Sequence, residues 1–187
     1  MATDDFHKFD RLGLILPFDN KDCVIFPSKI NGRYVALHRP SSSNFGKLDI
    51  WTAESNDLTT WGNHHVLDEA RIHYDVCDRV GAGAIPFLTD KGWVVIYHSA
   101  SETQGYIITA MLLDKDNPQK VLMKSKKALI KPTETYETKG FVNNVVFTCG
   151  LTHCDNQLTV YYGACDQNIA ACTMSMKELW ENMEVVA

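Results

Sequence analysis

A β-rich segment occurs three times along the chain and limits the folds that the chain can adopt. Residues 32–38 (Gly-Arg-Tyr-Val-Ala-Leu-His) align with residues 92–98 (Gly-Trp-Val-Val-Ile-Tyr-His), 60 positions later, and residues 156–162 follow after a further 64. A Ser/Thr-x-Asp element also recurs, first at Thr3 and then at Ser55, 52 positions later. β units that recur at a fixed period predict propeller blades. The period here is longer than the usual repeat of about 40–50 residues, which long loops between the strands would explain. A β-sandwich with chance similarity remains an alternative interpretation of the same pattern.

Short apolar runs between Gly, Asn, Asp and Pro turns predict an all-β fold. The predicted strands cover residues 23–26, 34–38, 48–52, 93–98, 106–113, 144–149, 158–162 and 169–174. One helix is expected near the end, because Ser175 and Glu178 form a capping box and are followed by the apolar residues Leu179, Trp180 and Met183.

Charge and hydrophobicity exclude several functional classes. A net charge of −5 without a clustered basic face argues against nucleic-acid binding. The longest apolar runs, such as residues 93–97, are far shorter than the ~20 residues of a membrane helix. The first residues resemble no secretory signal, so we expect a soluble, cytoplasmic protein that contacts no membrane.

Six cysteines fit the same compartment, since a chain of 187 residues needs no disulfides. Cys149 and Cys154 flank His153, which raises the possibility of zinc, but no second ligand pair is present and we predict no metal site. We expect these cysteines to be small, half-buried residues of strands.

Polar residues fall at the same place in the three copies of the repeat. His38, His98 and Tyr162 end successive units, Arg39 follows the first, and Asp166 lies four residues beyond the third. A shared wet pocket accounts for them together, whereas separate local hydrogen bonds account for them one at a time. Three further histidines are expected to be exposed loop residues rather than ligands: His64, His65 and His73.

The same segments carry a resemblance to a known family. They are Lys21-Asp22 to Pro27, His38-Arg39-Pro40, the run Arg79-Val80-Gly81-Ala82-Gly83-Ala84-Ile85-Pro86, Tyr97-His98, residues 144–147 and residues 161–166. In this order and spacing the chain resembles glycoside hydrolase family 130, whose members are β-mannoside phosphorylases and related mannosidases on a five-bladed β-propeller. The resemblance covers nearly the whole chain.

The resemblance implies a reaction and a set of site residues. Inorganic phosphate is the co-substrate, no other cofactor is expected, and a mannosyl unit passes from a β-mannoside to phosphate with inversion, giving mannose 1-phosphate. Arg39, Arg79 and His98 are the implied phosphate-binding residues, since basic donors suit a desolvated dianion. Gly81 and Gly83 are expected to let the backbone approach the ligand. The residues implied to contact sugar are Tyr106, Asn144 and Asp166.

The general acid of the family is an Asp within a Glu-Asp-Pro-Arg-like segment, and that segment is absent from the sequence. Asp22, Asp49, Asp75 and Asp78 all lack the motif, so none is assigned the role. We therefore expect residues 1–187 to form one partial propeller of about three blades plus a C-terminal helix, incomplete at the N-terminus, because closed propellers have at least about four blades.

Two kinds of function remain open at this point. In the first, the chain is part of a phosphorylase or, as a related case, of a hydrolytic β-mannosidase. Alternatively it is an inactive propeller fragment that binds carbohydrate or associates with copies of itself through exposed sheet edges, as a homo-oligomer.

Overall fold

The computed structural model describes residues 1–16, 19–41, 46–67, 70 and 77–186 and shows an all-β chain with two short helices. His73 and Asp75 lie outside the described residues. In chain order, the elements are β1 (Asn20–Ile25), β2 (Tyr34–Pro40), β3 (Trp51–Ser55), β4 (Trp61–Val66), β5 (Arg79–Ala82), β6 (Phe87–Thr89), β7 (Gly92–Ser101), β8 (Gly105–Leu113), β9 (Val121–Ser125), α1 (Thr135–Thr138), β10 (Val146–Cys154), β11 (Gln157–Ala164), β12 (Asn168–Ser175), α2 (Met176–Glu181) and β13 (Met183–Val185).

The strands form three antiparallel sheets, whereas a sandwich would have two. The first has the order β1-β2-β3-β4, and the third has the order β10-β11-β12. The second has the order β13-β9-β8-β7-β5, with β6 also paired to β7. The three copies of the repeat are β2, β7 and β11, and each lies in the interior of its sheet with a partner on both sides. The repeat therefore marks an interior strand of each sheet.

The second sheet is buried on both faces, which explains its long apolar strands. Along β7, Trp93, Val95 and Tyr97 pack toward the first sheet. The alternate residues Val94 and Ile96 pack toward the third sheet and α2. Strands that are covered on both faces show continuous rather than alternating hydrophobicity. The two hydrophobic cores thus hold the three sheets side by side.

The second recurring element is a turn with the same geometry in both copies. The Thr3 hydroxyl oxygen accepts a hydrogen bond from the Phe6 amide at 2.9 Å, and the Ser55 hydroxyl oxygen accepts one from the Leu58 amide at 2.9 Å. Phe6 and Leu58 both have positive φ, at 57° and 67°. The similarity seen in the sequence therefore corresponds to a real structural repeat.

The C-terminal helix is confirmed with its predicted cap. The Ser175 hydroxyl oxygen accepts from the Glu178 amide at 3.2 Å, and the Glu178 carboxylate accepts from the Ser175 amide at 2.7 Å. The helix is shorter than the apolar pattern suggested, because Met183 lies in β13 and pairs with Ser125 of β9. The short helix α1 and the strands β4, β5, β6, β9 and β13 had no predicted counterpart.

Cys149 and Cys154 are less buried than expected. Cys149 and Cys154 do lie in β10, but both are exposed. His153 stacks on Phe87 with ring centroids 4.7 Å apart. No cluster of three or more His, Cys, Asp or Glu side chains suited to a metal ion occurs in the described ranges. Within the same ranges, no helix has both the length and the apolar character needed to span a bilayer.

Candidate functional site

A buried group of charged side chains lies where the first and second sheets meet. Arg39 Nη1 of β2 lies 3.0 Å from Asp22 Oδ2 of β1. His98 Nε2 of β7 lies 3.4 Å from the same carboxylate oxygen and 3.5 Å from Arg39 Nη1. The guanidinium, the imidazole and the carboxylate therefore meet at one point, although they come from three different strands.

Arg39 is held by one end of its guanidinium and leaves the other end unused. Its Nη1 donates to the Val80 carbonyl oxygen at 3.4 Å besides pairing with Asp22. The Nε of Arg39 is buried and has no hydrogen-bond partner among the described residues. The side-on edge formed by Nε and Nη2 is the one that binds planar pairs of anionic oxygens. The Nε of Arg39 is thus a donor that no described residue satisfies.

Asp22 reaches this point because β1 is irregular. The register between β1 and β2 shifts between Lys21 and Val24, and Asp22 has a φ of 53°. Such a bulge re-aims a side chain that would otherwise follow the regular alternation of the strand. A Cβ added to Gly81 would lie 2.0 Å from Asp22 Oδ2 and 2.6 Å from the His98 ring. The absence of a side chain at Gly81 therefore makes room for the carboxylate and the imidazole.

His98 is fully buried among aromatic rings. Its ring centroid lies 4.4 Å from that of Phe147 and 5.8 Å from that of Tyr106. Its Nδ1 is buried and has no hydrogen-bond partner within the part of the chain that the structure describes. Because Nε2 faces Asp22 and Arg39, a bound anion and this imidazole can share a desolvated environment in which charge-assisted hydrogen bonds are strong.

Arg79 lies on the same face of the second sheet as His98. The register pairs Gly81 with His98 and pairs both Arg79 and Tyr106 with Ala100. The Arg79 guanidinium carbon lies 5.1 Å from the centre of the Tyr106 ring, a cation–π contact. Its Nε is also buried without a hydrogen-bond partner among described residues. The two arginines and one aspartate leave the site with a net positive charge.

The other two predicted residues, Asn144 and Asp166, lie in the segment before β10 and in the turn after β11, and the structure records no contact between Asp166 and this group among the described residues. Asn144 is exposed, has a φ of 59°, and its carbonyl oxygen accepts from the Tyr106 amide at 2.9 Å. Asp166 is exposed in the turn between β11 and β12, and the preceding residue, Cys165, donates its amide to the Val145 carbonyl oxygen at 3.1 Å. The structure thus joins Arg39 and His98 directly, Arg79 through Tyr106, and Asn144 through its backbone.

The single pocket expected to hold His38, His98 and Tyr162 is not formed. The Nδ1 of His38 faces the amide oxygen of Asn20 at 3.1 Å, and its Nε2 faces the Nδ1 of His64 at 3.1 Å. The Tyr162 hydroxyl donates to the buried Glu137 carboxylate at 2.6 Å. Local hydrogen bonds therefore account for His38 and Tyr162, and only His98 reaches the charged group.

His64 and His65 also depart from expectation, because both lie in strand β4 rather than in a loop, although both are exposed.

Glu137 receives further hydrogen bonds from the amides of Thr133 and Glu134. Burial alone would raise the pKa of Glu137, but the hydrogen bonds from Tyr162, Glu134 and Thr133 outweigh it and lower the pKa below its usual value. This carboxylate is therefore a structural anchor for the segment that precedes Asn144.

The environment of His38 predicts a pH-dependent stability. Burial, with a smaller contribution from His64, lowers the pKa of His38 to about 4. In the unfolded chain this ring takes up a proton near pH 6.5. Between about pH 6.5 and 4 the ring is therefore protonated in the unfolded state but neutral in the folded state. The free energy of unfolding should fall across this window by on the order of 3 kcal/mol from this group.

Urea unfolding at pH 7 and pH 4.5 measures this contribution. The difference between the two pH values should shrink in His38→Gln and should persist in His7→Gln, which alters an exposed histidine of the N-terminal segment. An equal difference in His38→Gln and the unchanged chain would show that His38 titrates normally.

The sequence alone did not show that Asp22 takes part in this group, or that residue 81 has to be a glycine. Asp22 was set aside with the other carboxylates, yet the structure singles it out. Asp78, in contrast, accepts a hydrogen bond from the Glu102 amide. Gly81 and Gly83 were expected to let the backbone approach a ligand; the structure shows in addition that a Cβ at Gly81 would meet Asp22 and that one at Gly83 would lie 2.5 Å from the Thr148 Cβ. Protein side chains therefore occupy both spaces.

Comparisons with known proteins identify the family that the chain matches. The sequence model of glycoside hydrolase family 130, described as beta-1,4-mannooligosaccharide phosphorylase, matches residues 2–185. A beta-1,2-mannobiose phosphorylase of Listeria innocua is 43% identical, with 100% of this chain and 53% of the relative aligned. A beta-1,4-mannooligosaccharide phosphorylase of Ruminococcus albus is 39% identical, with 88% and 50% aligned.

Among solved structures, the Listeria innocua beta-1,2-mannobiose phosphorylase in complex with beta-1,2-mannobiose superposes with a TM-score of 0.91 at 42% identity. The superposition covers 96% of this chain and 51% of that chain. The chain thus spans about half the length of the curated relatives that it matches.

Proposed function

The chain belongs to glycoside hydrolase family 130, and on that basis we propose that it carries the phosphate-binding side of a β-mannoside phosphorylase. The reaction transfers a mannosyl unit from a β-mannoside to inorganic phosphate with inversion and yields mannose 1-phosphate. The relatives named above act, by their names, on beta-1,2-mannobiose and on beta-1,4-mannooligosaccharides, so both linkages are candidate substrates. In this proposal the three sheets are blades of a five-bladed β-propeller.

The observation that carries the proposal is the buried pair of Arg39 and His98. Arg39 is 6% exposed and His98 is 0% exposed, and each has a buried nitrogen without a partner in the described ranges. Leaving buried donors unsatisfied is costly, and a buried guanidinium is costlier still. An oxyanion that accepts hydrogen bonds from the Arg39 and His98 side chains would offset this cost, and it would bind best if Arg79 also contributed.

The proposed roles follow from the position of each side chain. The guanidinium edge of Arg39 holds two phosphate oxygens, while Arg79 supplies further positive charge and His98 a further hydrogen bond. Tyr106, Asn144 and Asp166 contact the sugar beside the phosphate. Inversion requires a phosphate oxygen to attack the anomeric carbon from the side opposite the leaving oxygen, so the basic residues serve to place the nucleophile.

A leaving sugar must also receive a proton, and losing a positioned general acid typically costs about 10²–10⁴-fold in rate. We assign this role to no carboxylate among the described residues. Asp22 is engaged by Arg39 and His98, and Asp78 accepts the Glu102 backbone amide.

Product analysis tests the proposal. The chain is incubated with beta-1,2-mannobiose or a beta-1,4-mannooligosaccharide, with and without phosphate, and mannose 1-phosphate is quantified by anion-exchange chromatography. We expect mannose 1-phosphate only when phosphate is present. Mannose released regardless of phosphate would establish a hydrolase instead. Neither product, together with measurable binding of mannobiose, would establish a carbohydrate-binding fragment.

Self-association is a second proposal, and exposed apolar side chains favour it. Phe6, Leu14, Phe141 and Ile169 are 82%, 81%, 81% and 85% exposed. Apolar surface of this kind, when contiguous, marks an interaction site. Mass measurement in solution tests it, and a strict monomer at the highest concentration used would exclude it.

A further inference from the structure

Asp22 places a negative charge where the proposed function requires an anion to bind. Its Oδ2 lies 3.0 Å from Arg39 Nη1 and 3.4 Å from His98 Nε2. Any oxyanion that binds against the Arg39 and His98 side chains must therefore lie near the Asp22 carboxylate, which is paired with both. A pocket that only had to attract anions would have no use for a carboxylate at this place.

The carboxylate is fixed rather than free to swing away. Asp22 lies in a bulge of β1 with a φ of 53°, and its side chain is 12% exposed. Gly81 lies directly against it, as the 2.0 Å separation between Oδ2 and a Cβ added at Gly81 shows. The two groups that pair with it, Arg39 and His98, are themselves buried. Binding an anion in this pocket thus means binding it next to Asp22.

Two anionic oxygens at hydrogen-bond distance repel each other unless a proton lies between them. Phosphate and arsenate keep at least one proton at neutral pH, so one of their oxygens can donate to a carboxylate. Sulfate has the same tetrahedral shape but is fully ionised, so it can only accept. A carboxylate in an anion pocket therefore distinguishes oxyanions by their protons rather than by their size.

We propose that Asp22 makes this pocket selective for an oxyanion that carries a proton, and hence for phosphate over sulfate, by accepting a hydrogen bond from it. The inference rests on the proposed function, which places phosphate against Arg39 and His98. It adds a specificity-determining residue on the protein side of the reaction. Phosphate in this arrangement donates to Asp22 and accepts from the guanidinium and the imidazole.

Anion titrations on the purified chain test the inference. Isothermal titration calorimetry with phosphate, arsenate and sulfate at neutral pH gives three dissociation constants for each variant. For the unchanged chain, phosphate and arsenate should bind about 10- to 100-fold more tightly than sulfate, the range that one charge-assisted hydrogen bond supports. In Asp22→Asn the amide can donate to sulfate, so the phosphate-to-sulfate ratio should fall to about one.

The matched control is Asp78→Asn. It removes a carboxylate adjacent in sequence to Arg79, but one that accepts from the Glu102 amide instead of joining the pair formed by Arg39 and His98. The phosphate-to-sulfate ratio of Asp78→Asn should equal that of the unchanged chain. Comparison with Asp22→Asn therefore distinguishes a direct contact with the anion from a general effect of net charge. Circular dichroism spectra establish that each variant folds.

The outcomes separate the inference from the proposed function. If the unchanged chain binds no phosphate, the proposed phosphate site is wrong and the inference falls with it. If the chain binds phosphate but binds sulfate equally well, the inference is wrong while the phosphate site stands, and this result needs no variant. The inference is also wrong if Asp22→Asn strengthens binding of both anions by the same factor.

Discussion

Replacing Arg39 by Ala is expected to weaken phosphate binding by at least about 100-fold, the loss of two charge-assisted hydrogen bonds. Arg39 is the buried residue whose guanidinium is held by Asp22 and the Val80 carbonyl while its Nε remains unpartnered among the described residues. Arg39→Lys keeps the charge but loses the planar guanidinium group, so its phosphate affinity should lie between that of Arg39→Ala and that of the unchanged chain.

The same substitution also affects stability, because it leaves Asp22 buried without its partner. Breaking a buried ion pair on one side typically costs about 3–5 kcal/mol. The double variant Arg39→Leu with Asp22→Asn removes both charges and should recover much of that loss without recovering phosphate affinity. Calorimetric titration and thermal unfolding on the same samples therefore separate the two roles of Arg39.

Arg33→Ala is the matched control. Arg33 is an exposed arginine just before β2, and its backbone exchanges hydrogen bonds with that of Ile30. It should bind phosphate as the unchanged chain does. Phosphate binding that survives Arg39→Ala within about threefold would remove Arg39 from the proposed site.

Replacing Gly81 by Ala should damage both the fold and the phosphate site. The added Cβ would lie 2.0 Å from Asp22 Oδ2 and 2.6 Å from the His98 ring, and both of these side-chain ends are held by contacts with each other and with Arg39. Overpacking of this kind costs about 1–3 kcal/mol. For a chain of this size that corresponds to a Tm lowered by roughly 2–12 °C.

Gly81→Ala should also lower the affinity for phosphate, because relief of the clash displaces either the Asp22 carboxylate or the His98 imidazole. Differential scanning calorimetry and phosphate titration measure the two effects. Gly150→Ala is the control, because Gly150 also lies in a strand but nothing lies within 4 Å of a Cβ built there. A Gly81→Ala chain that matched Gly150→Ala in Tm and in phosphate affinity would contradict this prediction.

The interior strands and the capped helix could be predicted because their signals are local. The repeated apolar segments became β2, β7 and β11, and the Ser175 capping box became α2. Strands such as β5 and β6 were missed because they span only four and three residues. Stretches this short show too little periodicity to be recognised without their neighbours in the sheet.

The site residues came from a resemblance, and the sequence could not show how they fit together. Asp22 takes part through a bulge, which depends on how β1 pairs with β2 rather than on the residues of β1 alone. His38 and His98 occupy equivalent places in the repeat, yet their partners come from other strands: Asn20 and His64 for one, Asp22 and Arg39 for the other. His38 and His98 therefore have different chemical environments, because the strands next to them carry different residues.

The position of β1 also determines how long the site stays intact. β1 is an edge strand of the first sheet and is only half-buried, yet it supplies the carboxylate between Arg39 and His98. Edge segments with few buried apolar contacts open at free energies well below that of global unfolding. We therefore expect the proposed anion site to be lost and regained through opening of this one peripheral strand, while both hydrophobic cores remain folded.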